Sequence, residues 1–206
     1  VYLRGGNYAG KTIQPSNSGT SEDLRITFAK HADEKVVFEE SNGIRLLGKS
    51  YISVSGMEFR QMHCFIRIGG GSYNIIAHCR FDGRSKDSRE WVGAHIGAQG
   101  RNPSTHNWIH HCEFYRFVYK DERPNRGALL DIGNLNANDR QSSYNRVEHC
   151  ILAYGGHHTL GIYSKHNVIR FNYTHNETNP KNWDFPGYRG MVTQSSSGGY
   201  CLSVSS

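Results

Sequence analysis

One sequence motif of about nine residues recurs along this chain and limits what it can fold into. Its clearest copies are SYNIIAHCRF, HNWIHHCEF, YNRVEHCIL and HNVIRFNYT, which begin at Ser72, His106, Tyr144 and His166, and a looser copy is YISVSGMEF at 51–59. The step from Met57 to Cys79 is 22 residues, and so is the step from Asn145 to Asn167. A fixed period near 22 residues is typical of a solenoid, in which each repeat buries its face against its neighbours.

The aligned copies form four columns of similar residues. The columns are Asn74, Asn107, Asn145 and Asn167; Val54, Ile76, Ile109, Val147 and Ile169; Met57, Cys79, Cys112, Cys150 and Asn172; and Phe59, Phe81, Phe114 and Leu152. β-Branched and aromatic residues suit a pleated, buried surface, and no segment shows the 3.6-residue period of a helix. We therefore predict an all-β fold, a single-stranded right-handed parallel β-helix with about seven or eight coils and three short strands per coil.

The asparagine and cysteine columns each predict a structural role. We expect the asparagines at a sharp turn, because asparagine tolerates left-handed φ angles and stacked amides can hydrogen-bond along the solenoid. We expect Cys79, Cys112 and Cys150 to be buried and reduced, as small apolar side chains. The spacing of adjacent coils also permits a disulfide between two of these cysteines, so that alternative remains.

Histidines form a further column one place before the cysteines. His78, His111 and His149 belong to it, and His110 adjoins it. Stacked imidazoles could bind a metal, but parallel strands space them at roughly 4.8 Å, and the acidic companion is Glu148 alone. We therefore expect a ladder of stacked surface rings and no metal.

A further strand is predicted before each copy of the motif. These strands are Ile44–Leu47, Phe65–Ile68, Ala94–Ile96, Leu129–Ile132, Thr159–Tyr163 and Met191–Thr193. If Leu47, Ile68, Ile96, Ile132 and Ile162 point inward, alternation sends Leu46, Arg67, His95, Asp131 and Gly161 outward. This row of a cation, an imidazole and a carboxylate is the candidate site.

Insertions beside this row favour a binding groove. Cys79 to Cys112 is 33 residues and Cys112 to Cys150 is 38, which exceed the period by about 11 and 16. The extra length lies in 82–91, 97–105, 115–126 and 133–143, which flank the candidate row and include Lys120, Arg123 and Arg126. With a net charge of +6, the chain suits an acidic polysaccharide, and we expect no nucleic acid partner. Ordinary solvated loops are the alternative.

The opening VYLRGGNYAGKTIQPSNSGTSEDLRITF and the later GSYNIIAHCRFDG, NWIHHCEF and YNRVEHCIL resemble the β-helix polysaccharide lyases, nearest the chondroitinase B and alginate lyase group. The similarity runs from Val1 to about Asn176. The resemblance implies β-elimination at a uronic acid whose carboxylate is neutralised, often by Ca²⁺ held by acidic and asparagine ligands. It also implies a lysine that removes the C5 proton and an arginine that assists.

Two alignments with that family give different catalytic residues. One matches the catalytic coil to 190–196, where Ser195 or Ser196 takes the place of the lysine. The other gives Lys165 and Arg189 the lysine and arginine roles, but it places His158 and Leu160 where acidic metal ligands belong, so the Ca²⁺ pattern is not matched. The catalytic candidates are Lys165, Arg189, His95 and Tyr163. The substrate-binding candidates are Arg67, Asp131, His157, His158, Lys120, Arg123 and Arg126.

The tail Gln194–Ser206 lacks the repeat columns. We predict a β-helix over 1–193 and an irregular tail or partial cap over 194–206, in which Tyr200–Val204 could pair as an edge strand. Open coil ends present unpaired backbone groups, so a non-catalytic module that stacks end to end or docks on a partner is the alternative function.

No apolar run approaches the roughly 20 residues of a membrane span, and we expect no membrane partner. Because the chain starts at Val1 and shows no signal peptide, we expect a mature or excised product. We expect a secreted or periplasmic protein, in which Asn176 would be a candidate glycosylation acceptor.

Overall fold

Three parallel β-sheets make up the fold. The computed structural model describes residues 1–83, 92–117, 128–133, 141–155, 158–175 and 200–204, the last segment and His175 by their backbone alone. These residues contain twenty strands and no α-helix. No helix among them is long and apolar enough to cross a membrane.

The chain visits the three sheets in turn, so most coils contribute one strand to each. Sheet 1 contains β1 (Tyr2–Leu3), β3 (Ile26–Lys30), β6 (Ile52–Ser55), β9 (Ile75–Ala77), β12 (Trp108–His110), β15 (Arg146–Glu148) and β18 (Val168–Arg170). Sheet 2 contains β2 (Gly6–Ala9), β4 (Val36–Glu39), β7 (Glu58–Arg60), β10 (Arg80–Asp82), β13 (Glu113–Phe117), β16 (Ile151–Gly155) and β19 (Tyr173–His175). Sheet 3 contains β5 (Ile44–Leu47), β8 (Ile66–Gly69), β11 (Val92–Gly97), β14 (Ala128–Ile132), β17 (His158–Ile162) and β20 (Tyr200–Val204). The predicted right-handed parallel β-helix is confirmed.

The predicted apolar columns fill the interior. In sheet 2, Phe59 pairs with Phe81 and Phe81 with Phe114, and the three fully buried rings stack with centroids 4.7 and 4.9 Å apart. In sheet 1, Ile76 pairs with Ile109 in the same way. Stacking like residues on like lets each coil cover the apolar layer of the coil before it.

The cysteine column lies inside, as predicted. Cys79, Cys112 and Cys150 are each 1 % exposed, and all three are free thiols. Burial raises the pKa of the Cys112 thiol well above its usual value. A hydrogen bond with Cys112 lowers the pKa of the Cys150 thiol, and at Cys79 burial raises the pKa but hydrogen bonds outweigh it, so that this pKa is also lowered. The pKa shifts differ within the column, and it is the near-complete burial of all three thiols that makes the column part of the core.

The turn before sheet 1 differs from the prediction. The left-handed φ angle falls on the residue ahead of each asparagine, at Tyr73 (58°), His106 (57°) and Tyr144 (60°), and not on the asparagine itself. The asparagine side chain is needed for another purpose: Oδ1 of Asn107 accepts hydrogen bonds from the backbone N–H and from Nδ2 of Asn74, at 3.1 and 2.9 Å. The turn geometry and the amide stack are therefore divided between two adjacent residues.

The end of the chain adds a strand to sheet 3. β20 pairs in parallel with β17, with Leu202 opposite Leu160. The proposed boundary between 193 and 194, and the predicted strand Met191–Thr193, lie outside the described residues and stay predictions.

Candidate functional site

A column of polar side chains lies across the outer face of sheet 3. Arg67 pairs with His95 and His95 with Asp131, as the sequence predicts, and Asp131 pairs with Gly161. His95 and Asp131 are only 8 % and 5 % exposed, although their place in the strand is the outward one. The alternation of strand faces has therefore placed a cation, an imidazole and a carboxylate side by side.

The first member of this column was assigned wrongly. Leu46 pairs with Ile68 and is fully buried, while Arg45 pairs with Arg67 and takes the outward place. The register is set by Ile44, which pairs with Ile66, and a register error of one residue moves every side chain to the other face. The sheet 3 column is thus Arg45, Arg67, His95, Asp131 and Gly161.

A buried imidazole–carboxylate pair occupies the end of this column. Nε2 of His158 lies 2.7 Å from Oδ1 of Asp131, and the two side chains are 3 % and 7 % exposed. The ring of Tyr163 meets that of His158 edge to face, at 6.4 Å between centroids. Within the column, Nε2 of His95 lies 3.2 Å from the carbonyl oxygen of Gly133. A carboxylate that holds an imidazole in one orientation is an arrangement used in general acid–base catalysis.

Gly161 makes this contact geometrically feasible. A Cβ at position 161 would lie 2.6 Å from Nε2 of His158 and closer still to Oδ1 of Asp131. Sequence reasoning placed both residues in the groove but missed their contact. The available signal was the glycine itself, because a missing side chain opposite Asp131 leaves room for a ring from elsewhere in the same strand.

The other predicted site residues are distributed differently. Arg67, His95, Asp131, His158 and Tyr163 are brought to one face of sheet 3. Lys165 is exposed in the turn between β17 and β18, beside His166, whose ring stacks on Tyr144 at 5.2 Å. Arg189, His157, Lys120, Arg123, Arg126 and Asn176 lie outside the described residues.

The described residues of sheet 3 do not fit a calcium site. Ca²⁺ takes six to eight oxygen ligands, several of them from carboxylates. Asp131 is the one carboxylate among the described strands of this sheet, and its Oδ1 atom already contacts His158. A mechanism through Ca²⁺ at this face has no support from these side chains.

The histidine ladder forms as predicted at the corner between sheets 1 and 2. The rings of His78, His111, His149 and Phe171 stack with centroids 5.0, 4.9 and 5.0 Å apart. Each of these residues has a φ angle between 51° and 56°, so each turns the chain at the same place in its coil. Burial, and after it the neighbouring His111, lower the pKa of His110 to about 4, which keeps that imidazole neutral at pH 7.

A second concave surface, not predicted from the sequence, lies on the outer face of sheet 2. A cavity of about 500 Å³ is lined by Lys35, Glu39, Glu58, Phe59, Arg60, Gln61, Arg80 and Asp82. Three of these side chains are cationic and three anionic, and Lys35 and Arg60 both pair with Glu58, at 3.1 and 2.5 Å. Equal numbers of positive and negative charges give this surface little attraction for a polyanion.

Comparison with protein-family models and with curated proteins finds no match. Among solved structures, the chain is similar to pectate lyase Pel9A, with a TM-score of 0.57 and 16 % sequence identity over 89 % of this chain and 47 % of that one. The two share a parallel β-helix. The chain spans about half the length of that lyase, so the likeness concerns the fold.

Proposed function

We propose that the outer face of sheet 3 binds an acidic polysaccharide composed of uronic acids. Arg45 and Arg67 lie on adjacent strands, and the whole chain carries a net charge of +6. The sequence carries insertions before and after strands of this sheet, and the fold is shared with an enzyme named for its action on pectate. A secreted or periplasmic location, where such polymers occur, is part of the proposal.

We further propose that this face cleaves the polymer by β-elimination. A base removes the C5 proton, the C4–O bond breaks, a C4–C5 double bond forms, and the leaving oxygen takes up a proton. Arg67 would face the uronate carboxylate and stabilise the charge that develops there. His95, between Arg67 and Asp131, would take the C5 proton, and Tyr163 would donate to the leaving oxygen.

The observation that carries this proposal is the His158–Asp131 pair. The two side chains are buried and contact each other at 2.7 Å. This contact holds Asp131 in place next to His95, its strand neighbour in the column. His158 and Asp131 act as positioning residues, because Asp131 is the strand neighbour of His95 and its own orientation depends on His158. Lys165, exposed in the next turn, is the alternative base.

The test is an absorbance assay for the new double bond, with polygalacturonate, alginate and chondroitin sulfate offered separately. If His95 is the base, His95→Gln should lower the rate by about 10²–10⁴-fold and Lys165→Ala should not. If Lys165 is the base, the effects of the two variants should be reversed. His149→Asn, a histidine of the corner ladder, is the matched control. Absence of double-bond formation on every uronate polymer would refute cleavage. Equal binding of acidic and neutral polysaccharides at low salt would refute the binding proposal.

A second candidate function is assembly through the coil end. Val168, Phe171 and Tyr173 lie in or between the last strands of sheets 1 and 2 among the described residues, and they are 41 %, 68 % and 61 % exposed. If two copies stack through this coil, sedimentation analysis will show a concentration-dependent dimer that Phe171→Ser weakens. A monomer at all concentrations would exclude this function.

A further inference from the structure

Three imidazoles converge at the corner between sheets 1 and 2. His110 ends β12, and His111 follows it with a φ angle of 51°. Consecutive side chains of a strand normally point to opposite faces, but the left-handed residue turns the chain so that these two rings approach each other. His78 occupies the same corner one coil earlier, with a φ angle of 52°.

The ring nitrogens of this cluster are spaced as metal ligands would be. One nitrogen from each of His78, His110 and His111 lies within 4.8 Å of the other two. The Nδ1 atoms of His110 and His111 are 2.9 Å apart. Two nitrogens bound to one metal at about 2.0–2.1 Å, at right angles, would be about 2.9 Å from each other. The His110–His111 pair therefore matches two adjacent ligands, and His78, whose nitrogen lies within 4.8 Å of both, would move toward the ion to supply a third.

The surroundings hold His110 in place and leave room beside it. Its strand neighbour on one side is Ala77, which presents only a methyl group. The Trp108 ring lies 4.1 Å from the His110 ring between centroids. The guanidinium of Arg146 lies over the Trp108 ring, 4.4 Å from its centroid. A ligand whose rotamer is locked by packing pays less entropy when it binds a metal.

The charges nearby do not exclude a cation. Glu148, the strand neighbour of His110 on its other side, bonds Arg146 and Arg170 at 2.8 and 2.6 Å. The carboxylate offsets one of the two guanidinium charges. These three groups together carry about one positive charge, a modest penalty for a cation at a solvent-screened corner.

We propose that His78, His110 and His111 bind a divalent transition-metal ion, with water in the remaining positions. Imidazole ligands suit Cu²⁺, Ni²⁺ and Zn²⁺, and the right-angled His110–His111 pair favours the first two. Because His78 belongs to one coil and the other two to the next, the ion would clamp adjacent coils together. The proposal revises the expectation that this ladder serves without a metal, and it is independent of the polysaccharide site on sheet 3.

The test is titration of the chelator-treated protein with Cu²⁺, Ni²⁺ and Zn²⁺, followed by calorimetry and by thermal unfolding. We expect one ion per chain and a rise in Tm of about 5–10 °C when the ion is 100-fold above its Kd. His110→Gln should weaken binding at least about tenfold. His78→Asn and His111→Asn should do the same, and asparagine tolerates the left-handed angle at both positions.

The matched controls are His106→Asn and His166→Asn, which also lie at left-handed corner positions and stack on tyrosines, but in the other ring ladder. Unchanged binding in these controls, with loss in the three cluster variants, supports the site. Equal binding in His110→Gln and the wild type overturns it. For the wild-type protein, Cu²⁺ should broaden amide resonances around positions 77–78 and 110–111 before those around 106 and 166; uniform broadening would also overturn the proposal.

Discussion

Replacing Asn107 by leucine should remove four hydrogen bonds from the corner stack of asparagines. Asn107 is fully buried. Its Oδ1 accepts from the backbone N–H and from Nδ2 of Asn74, at 3.1 and 2.9 Å, and its Nδ2 donates to the carbonyl of Gly71 and to Oδ1 of Asn145, both at 3.0 Å. Leucine has nearly the same shape and can make none of these four bonds.

The expected loss of stability depends on which of the four groups bonded to Asn107 keep another hydrogen bond in the variant. Nδ2 of Asn74 also donates to the carbonyl of Lys49, and Oδ1 of Asn145 also accepts from the backbone N–H of residue 107. The N–H of Asn74 and the carbonyl of Gly71 lose the bond that the asparagine makes to them. At about 1–3 kcal/mol for each unsatisfied buried group, the free energy of unfolding should fall by about 2–6 kcal/mol.

Guanidinium unfolding followed by circular dichroism will measure this loss. With a slope of about 4 kcal/mol per molar, the midpoint should fall by about 0.5–1.5 M. Asn167→Leu is the matched control: it removes bonds of the same kind to Asn145 and Ser164, but at a half-buried position where water can replace them. If Asn107→Leu costs no more than Asn167→Leu, the argument from buried unsatisfied groups is wrong.

Three further changes test other parts of the molecule. Gly161→Ala should force His158 and Asp131 apart, destabilise the protein by about 1–3 kcal/mol and abolish any double-bond formation; retained stability and activity would contradict the required glycine. Phe81→Ala should reduce the free energy of unfolding by about 3–5 kcal/mol in denaturant titrations, and a loss under about 1 kcal/mol would contradict a close-packed ring stack. Burial raises the pKa of Glu148, but the hydrogen bonds from Arg146 and Arg170 outweigh it, so the pKa is lowered on folding. The stabilisation is then present above the unfolded pKa of about 4.3 and is lost as the pH falls through the folded value. Glu148→Gln should remove that part of the acid sensitivity in unfolding experiments from pH 7 to pH 3, and an unchanged pH profile would refute it.

The sequence specified the architecture well because a solenoid converts a period along the chain into a stack in space. Residues one period apart, such as Phe59 and Phe81, become strand partners. The one register error arose at Ile44–Leu47, where IRLL offers two adjacent leucines and alternation cannot choose between them. Pairing with β8 makes the choice, because Ile44 lies opposite Ile66.

The contacts between side chains were harder to predict than the columns. The alignment placed His95 beside Asp131, since both occupy one column. It could not find the approach of His158 to Asp131, because that contact joins different columns across the space left by Gly161. The meeting of His110 and His111 was missed for a related reason: neighbours in a strand diverge unless one of them has a left-handed φ angle, and only the structure shows which one does.

The uneven lengths of the coils have a consequence for protein engineering. Steps of 33 and 38 residues separate Phe81, Phe114 and Leu152, yet the three remain strand partners in unbroken register. The packing of the core therefore does not depend on how many residues connect the strands of one coil to those of the next, provided that the chain returns to the same corner. Segments of foreign sequence inserted between the strands of successive coils could display new binding loops on a scaffold whose interior needs no redesign.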